Sequence, residues 1–169
     1  MAAAAVWRIA RRRHARDRLG LGARQDGGRW NYPRTSVIYA GRTIAIAALE
    51  KYVHLAGVVP PDLVLVRAEL PDHASLEEPA LADLPTDWDA VPAGPGSMEF
   101  GTRWARENRS PVLYVPSALV REEGNAVLNP HHPEFAAVKM VIERDFHYDP
   151  RMYLSRRGIP RSRTTRRTP

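Results

Sequence analysis

Apolar positions along the chain mark out short strands around one strong helix. Residues 6–9 read as a strand that runs into a helical turn within a basic segment, 6–18. Residues 20–28 hold four glycines and read as loop. Residues 36–40 form a short strand candidate. The strongest helical period covers residues 43–56. Ile44, Ala47, Ala48, Lys51, Tyr52 and Leu55 recur at helical spacing, and only Lys51 among them is polar. Thr43 suits the N-cap, and Gly57 stops the helix ahead of Pro60 and Pro61.

Residues 63–70 are rich in Val and Leu and predict a strand. Residues 71–95 are rich in proline and acid, enclose Trp88, and predict a long loop with one helical turn at most. Residues 98–108 suggest a short helix, 111–116 a buried strand ending at Pro116 and Ser117, and 125–129 a short strand or turn. Residues 135–146 alternate, with Val138, Met140, Ile142, Arg144 and Phe146 on one face, and predict a final strand. No apolar period continues past Pro150. Short strands around one good helix predict an α+β domain over residues 6–150, and no internal repeat is visible.

Composition changes this picture in one respect. The 169 residues carry a formal net charge of +6. Residues 151–169 hold seven Arg and no acid, whereas residues 1–150 hold 18 basic and 19 acidic groups and sum to −1. The basic balance therefore belongs to an Arg-rich end that is expected to be disordered, and a globally basic nucleic-acid-binding domain is disfavoured. Phosphate contacts by that end and by the segment around Arg8–Arg18 remain the non-catalytic alternative. There is no Cys, which removes disulfides and Cys-ligated metals. No apolar run reaches the ~18–20 residues of a membrane span. Apolar residues precede the first basic ones, the reverse of a signal peptide, so a cytoplasmic protein is expected.

Several short motifs occur in a telling order. They are Gly27-Gly28-Arg29-Trp30-Asn31, Val37-Ile38-Tyr39-Ala40, Ala48-Leu49-Glu50, Val115-Pro116-Ser117-Ala118, and Leu128-Asn129-Pro130 followed by His132-Pro133. Together they resemble the RES domain family from about Trp7 to Phe146. The family's Arg, Glu and Ser would be Arg29, Glu50 and Ser117. The resemblance implies a compact mixed-sheet fold similar to ADP-ribosyltransferase toxins. It also implies a bacterial toxin that consumes NAD⁺ and is neutralised by an Xre-like helix-turn-helix antitoxin. Three positions depart from the usual family pattern. Arg34 stands where a Gly is common, Gly41 where a Ser follows the Tyr-Ala pair, and Gly124 where a large aromatic precedes the Asn. These changes adjoin the site and bear on substrate affinity more than on fold.

The implied reaction breaks the nicotinamide N-glycosidic bond through an oxocarbenium-like state. Nicotinamide leaves as a neutral molecule, so positive charge develops on the ribose and a carboxylate beside it is stabilising. Glu50 fits that role by charge and could also orient the acceptor. Arg29, after two glycines, suits the pyrophosphate because its planar fork bonds two oxygens at once. Tyr39 offers an aromatic face to the nicotinamide side. Glu50, Arg29 and Tyr39 are thus the expected catalytic residues. Arg29, Tyr39, Arg42, Ser117 and Asn125 are the expected substrate contacts. Ser117 is read equally as a ligand or Glu50 contact and as a turn cap, and Asn125 more readily as a turn residue.

NAD⁺ is expected as substrate rather than cofactor, with water or inorganic phosphate as acceptor. Transfer to a protein target is the alternative. A Ser117 nucleophile lacks the Gly-x-Ser-x-Gly elbow. His54, His131 and His132 lack a His-Glu-x-x-His spacing, and no metal is expected. DNA is expected to be reached only through the antitoxin, with no membrane contact, and a homodimer stays open.

Overall fold

The computed structural model describes residues 4–55 and 57–153. Strict alternation in two adjacent strands sets the architecture. In β5 (Val112–Pro116) and β6 (Gly124–Leu128), Val112, Tyr114, Ala126 and Leu128 join one apolar cluster, with Ile38, Ala40 and Phe135. Leu113, Val115 and Val127 turn the opposite way, onto Trp30 and Trp104. A sheet buried on both faces needs apolar residues at successive positions, as residues 112–115 and 126–128 supply.

The sheet has seven strands in the order β4-β5-β6-β2-β1-β3-β7. The other strands are β1 (Ala5–Arg11), β2 (Ile38–Gly41), β3 (Leu63–Glu69), β4 (Leu76–Glu77) and β7 (Lys139–Asp145). Only the β4–β5 pair is parallel. β2 is short but central: Ile38 pairs with Leu128 at one end and Gly41 with Asn125 at the other. The fold is mixed α+β, as the pattern predicts.

Among the described residues, three α-helices cover the sheet. α1 is Leu21–Asp26, α2 is Ile44–Val53 and α3 is Pro95–Arg106. Thr43 caps α2 as expected, its Oγ1 accepting from the Ile46 N–H at 3.2 Å. The buried Ala47 packs α2 against β1 and β3, where Ile9, Leu63 and Leu65 also meet Tyr148, and the buried Ile46 faces Gly41 of β2. α3 starts with Pro95 at its first turn, where a missing N–H costs nothing. It buries Trp104 completely, and the indole donates to Ser110 Oγ at 2.9 Å. Burying a large side chain in this way contributes roughly 1.5–3 kcal/mol.

The structure corrects five expectations. The glycine-rich stretch contains α1. Asp17 accepts hydrogen bonds from the Leu19 and Leu21 N–H groups and holds the approach to that helix. The acidic loop contains β4, added to the β5 edge, besides a 3-10 turn at Leu81–Asp83. α3 begins three residues earlier than the periodicity suggests. The final strand is preceded by a 3-10 turn at Pro133–Ala137 and carries a register shift opposite Leu65 and Val66. The shift skips Glu143, so Val138 and Phe146 end in different clusters despite their even spacing. α2 ends at Val53 with His54 as its C-cap, so the helix stops short of the Leu55 and Ala56 that the period predicts and before Gly57 is reached. Residue 56, and residues 154–169 of the Arg-rich end, lie outside the described residues.

Candidate active site

Glu50 lies in the second half of α2. Its helix can sit close to β2 because Gly41 has no side chain. A Cβ there would stand 2.6 Å from Ile46 Cγ2 and 2.7 Å from Ala47 N. From that position Glu50 Oε1 accepts two hydrogen bonds from the β5–β6 side, from Ser117 Oγ at 2.8 Å and Asn125 Nδ2 at 2.6 Å. Ser117 is fully buried and its Oγ also accepts from the Leu119 and Val120 N–H groups, at 3.1 and 3.4 Å. Its one proton is therefore directed at Glu50. Ser117 thus positions Glu50 and caps its turn at once. Glu50 Oε2 takes no donor from the described residues and is open to solvent. Asn125 Oδ1 is buried and unpartnered.

Tyr39 points from β2 toward the 27–31 hairpin. Its hydroxyl accepts from the Trp30 N–H at 2.9 Å and donates to Asn31 Oδ1 at 2.7 Å. Burial pushes this phenol well above its ordinary range, against the opposing pull of the Trp30 N–H and the nearby Arg29 charge. Gly28 must be glycine, since a Cβ would lie 2.6 Å from the Tyr39 hydroxyl. The hydroxyl is spent on the protein, so the ring is what Tyr39 can offer a ligand. Asn31 is completely buried, and its amide donates to the Ala23, Tyr32 and Thr35 carbonyls at 2.7, 3.1 and 3.0 Å.

Arg29 leaves this hairpin half-buried. One guanidinium nitrogen donates to the Trp88 and Ala90 carbonyls at 2.9 and 2.8 Å. Its other donors find no acceptor among the described residues and remain for an anionic ligand. Glu50, Ser117 and Asn125 thus form one direct cluster, and Tyr39 and Arg29 a second around the hairpin. A solvent-facing carboxylate, an aromatic ring and an arginine fork are the groups a glycosidic cleavage beside a pyrophosphate would use.

A model of the RES domain matches residues 5–149. The chain belongs to the RES domain family. It is 44% identical over 152 residues to a protein of Sphingobium sp. (strain YBL2) named "Prs ADP-ribosylating toxin", a match over 86% of this chain and 94% of that protein. It is 36% identical over 151 residues to "Toxin Res" of Yersinia enterocolitica, covering 87% and 98% of the two chains. The fold resembles that in the crystal structure of the M. tuberculosis MbcT-MbcA toxin-antitoxin complex. The TM-score is 0.64 at 17% identity, over 89% of this chain and 87% of that one.

Within the RES family, the three departures acquire physical causes. Arg34 has φ 74, a left-handed conformation that glycine adopts freely and that costs other residues roughly 1–2 kcal/mol. Gly41 is required by the approach of α2. Gly124 makes room for Arg42, whose Cδ would be 2.5 Å from a Cβ there. Arg42 in turn lies 4.3 Å over the Tyr114 ring and pairs with Glu78. Tyr114 belongs to the sheet face opposite Leu113 and Val115, so the structure does not bring Arg42 to Glu50. The other candidates lie apart too. His54 Nδ1 meets the Glu50 carbonyl at 2.7 Å, and His132 Nδ1 accepts from the Glu134 N–H at 3.2 Å.

Sequence reasoning missed the roles of Asn31 and of the Trp88–Ala90 backbone. Asn31 is visible in the sequence only as the end of the Gly-Gly-Arg-Trp-Asn motif. The carbonyls that hold Arg29 carry no residue-type signal at all.

Proposed function

We propose that the protein is a toxin that cleaves the nicotinamide N-glycosidic bond of NAD⁺. The observation that carries the reading is Glu50, held through one carboxylate oxygen and open at the other. The bond between ribose C1 and the nicotinamide nitrogen breaks, and its electron pair leaves with neutral nicotinamide. Glu50 Oε2 stabilises the cation that develops on the ribose. Ser117 and Asn125 keep the carboxylate in place, and no cation among the described residues pairs with it to offset its charge. Arg29 takes the pyrophosphate with its unused donors, and the Tyr39 ring packs on the nicotinamide side. Water then adds to C1 and releases a proton, giving ADP-ribose, or phosphate adds and gives ADP-ribose-1″-phosphate.

A second reading rests on the Sphingobium relative, whose name describes ADP-ribosylation. A protein side chain would then trap the same cation. The M. tuberculosis MbcT-MbcA structure is a toxin-antitoxin complex, which supports an antitoxin partner for this chain. An Xre-like helix-turn-helix protein, acting in the cytoplasm, fits that role. No helix among the described residues is long and apolar enough to cross a membrane.

Purified protein incubated with NAD⁺, with and without phosphate, tests the reading by separation of products. ADP-ribose in both incubations supports hydrolysis, and the 1″-phosphate only with phosphate supports phosphorolysis. A labelled protein band from labelled NAD⁺, with no free ADP-ribose, supports the second reading. Intact NAD⁺ under every condition overturns both.

A further inference from the structure

A cleft of about 360 Å³ lies at the other end of β2 from Glu50. It opens where Ile38 pairs with Leu128, whereas Glu50 meets Asn125 opposite Gly41. Three residue steps along the strand separate the two ends, roughly 10 Å at the usual rise. Arg24, Arg34 and Arg106 line it, with His131, and no acid does. None of these three guanidiniums pairs with a carboxylate among the described residues.

The lining beneath them is built from buried polar groups. Thr35 and Ser36 are each 5% exposed, and Thr35 Oγ1 is buried with no hydrogen-bond partner. Native proteins rarely leave such a hydroxyl unsatisfied without a missing partner. Asn129 is fully buried beside them, its own amide spent on Ala105 O and Asn108 Oδ1. Arg34 reaches the cleft from a backbone conformation that glycine would adopt without strain. Strain of this kind concentrates at binding sites.

We propose that this cleft binds the phosphate group of a small molecule. Three planar guanidinium forks and two hydroxyls match a tetrahedral oxyanion with several acceptors better than a planar carboxylate with two. The volume suits a ligand of small-metabolite size. No residue lining it is assigned to the proposed reaction, and its test reads no NAD⁺ turnover.

The full chain is titrated calorimetrically at constant ionic strength with pyrophosphate and with ribose 5-phosphate. The expected result is saturable binding of at least one of them. The tighter ligand identifies the source as a free inorganic anion or a phosphorylated metabolite. R34G/R106Q is expected to weaken that binding at least tenfold while its thermal midpoint stays unchanged or rises, because glycine relaxes position 34. E50Q is expected to bind as the parent does. Unchanged affinity in R34G/R106Q overturns the proposal, as does absence of binding by both ligands at millimolar concentration. Tighter binding of hexaglutamate than of either phosphate ligand also overturns it, in favour of an acidic protein partner.

Discussion

Glu50 and Tyr39 lie eleven residues apart on one strand–helix unit, yet they are held by opposite means. Tyr39 is fixed locally, by Trp30 and Asn31 eight or nine residues upstream, and its polar atom is consumed there. Glu50 is fixed from afar in sequence, by Ser117 and Asn125 from the neighbouring β5–β6 strands, and half of its carboxylate stays free. One region shapes the site and the other presents charge to it. Substitutions should therefore divide into those that cost stability and those that cost rate.

Glu50→Gln gives the largest expected effect. It keeps size and removes charge, so kcat/KM for NAD⁺ cleavage should fall on the order of 10²–10³-fold. Urea unfolding should remain within about 0.5 kcal/mol of the parent. Turnover equal to the parent would erase the distinction between the two regions.

Alkali probes the Tyr39 side. Its phenol is raised in the folded state by burial, so folding favours the protonated form. The associated stability is complete below the unfolded value near pH 10 and is lost as pH climbs through the native one. Each pH unit in that window costs about 1.4 kcal/mol. Tyr148, pushed up to about 12 by burial, adds to the same trend. Phenolate absorbance from Tyr39 should appear only with unfolding. A reversible step near pH 10 in native protein that disappears in Tyr39→Phe would contradict its burial.

Tyr39→Phe strands the Trp30 N–H and Asn31 Oδ1 inside the protein. Stability should fall by about 1–3 kcal/mol in urea, with rate affected less than by Glu50→Gln. Ser117→Ala crosses the divide. It removes one of two donors to Glu50 and an acceptor for two amides, so roughly tenfold in kcat is expected, or about 1.4 kcal/mol. A loss of stability alone would reduce Ser117 to a turn cap. The smallest effect belongs to Arg42→Ala. An exposed ion pair and a cation–π contact predict about 1 kcal/mol in urea and no change in kcat, which product formation would verify.

The same contrast explains what was legible in the sequence. β1, β2, β3, β5 and β6 announce themselves because both sheet faces are covered and their apolar runs follow directly. α2 does so because Thr43, the helical period and the stop before Pro60 agree. Neighbours within a few residues, such as Thr43 and Ile46, leave a trace in the pattern. The identity of Glu50's partners does not, because 67 and 75 residues intervene. Only the family resemblance joins Glu50 and Ser117 in one site, where a Ser117–Glu50 contact is one of two readings, and Asn125 reads more readily as a turn residue. Arg42 misled for the same reason, since its direction is set by Glu78, Tyr114 and the space at Gly124. α1 was illegible because it contains Gly22 and is braced from outside its own six residues, by Asp17 before it and Asn31 after it.

The separation between Glu50 and its two partners also orders events during synthesis. Translation proceeds at about 5–20 residues per second, so Asn125 is made roughly 4–15 s after Glu50. Until β5 and β6 pair, nothing fixes the Glu50 carboxylate. Tyr39 follows its own partners by less than two seconds on the same scale. A nascent chain can therefore build the hairpin that shapes the site early, while the charge becomes aligned only near completion. A truncated product ending before Gly124 would carry every residue of the first region and remain inert.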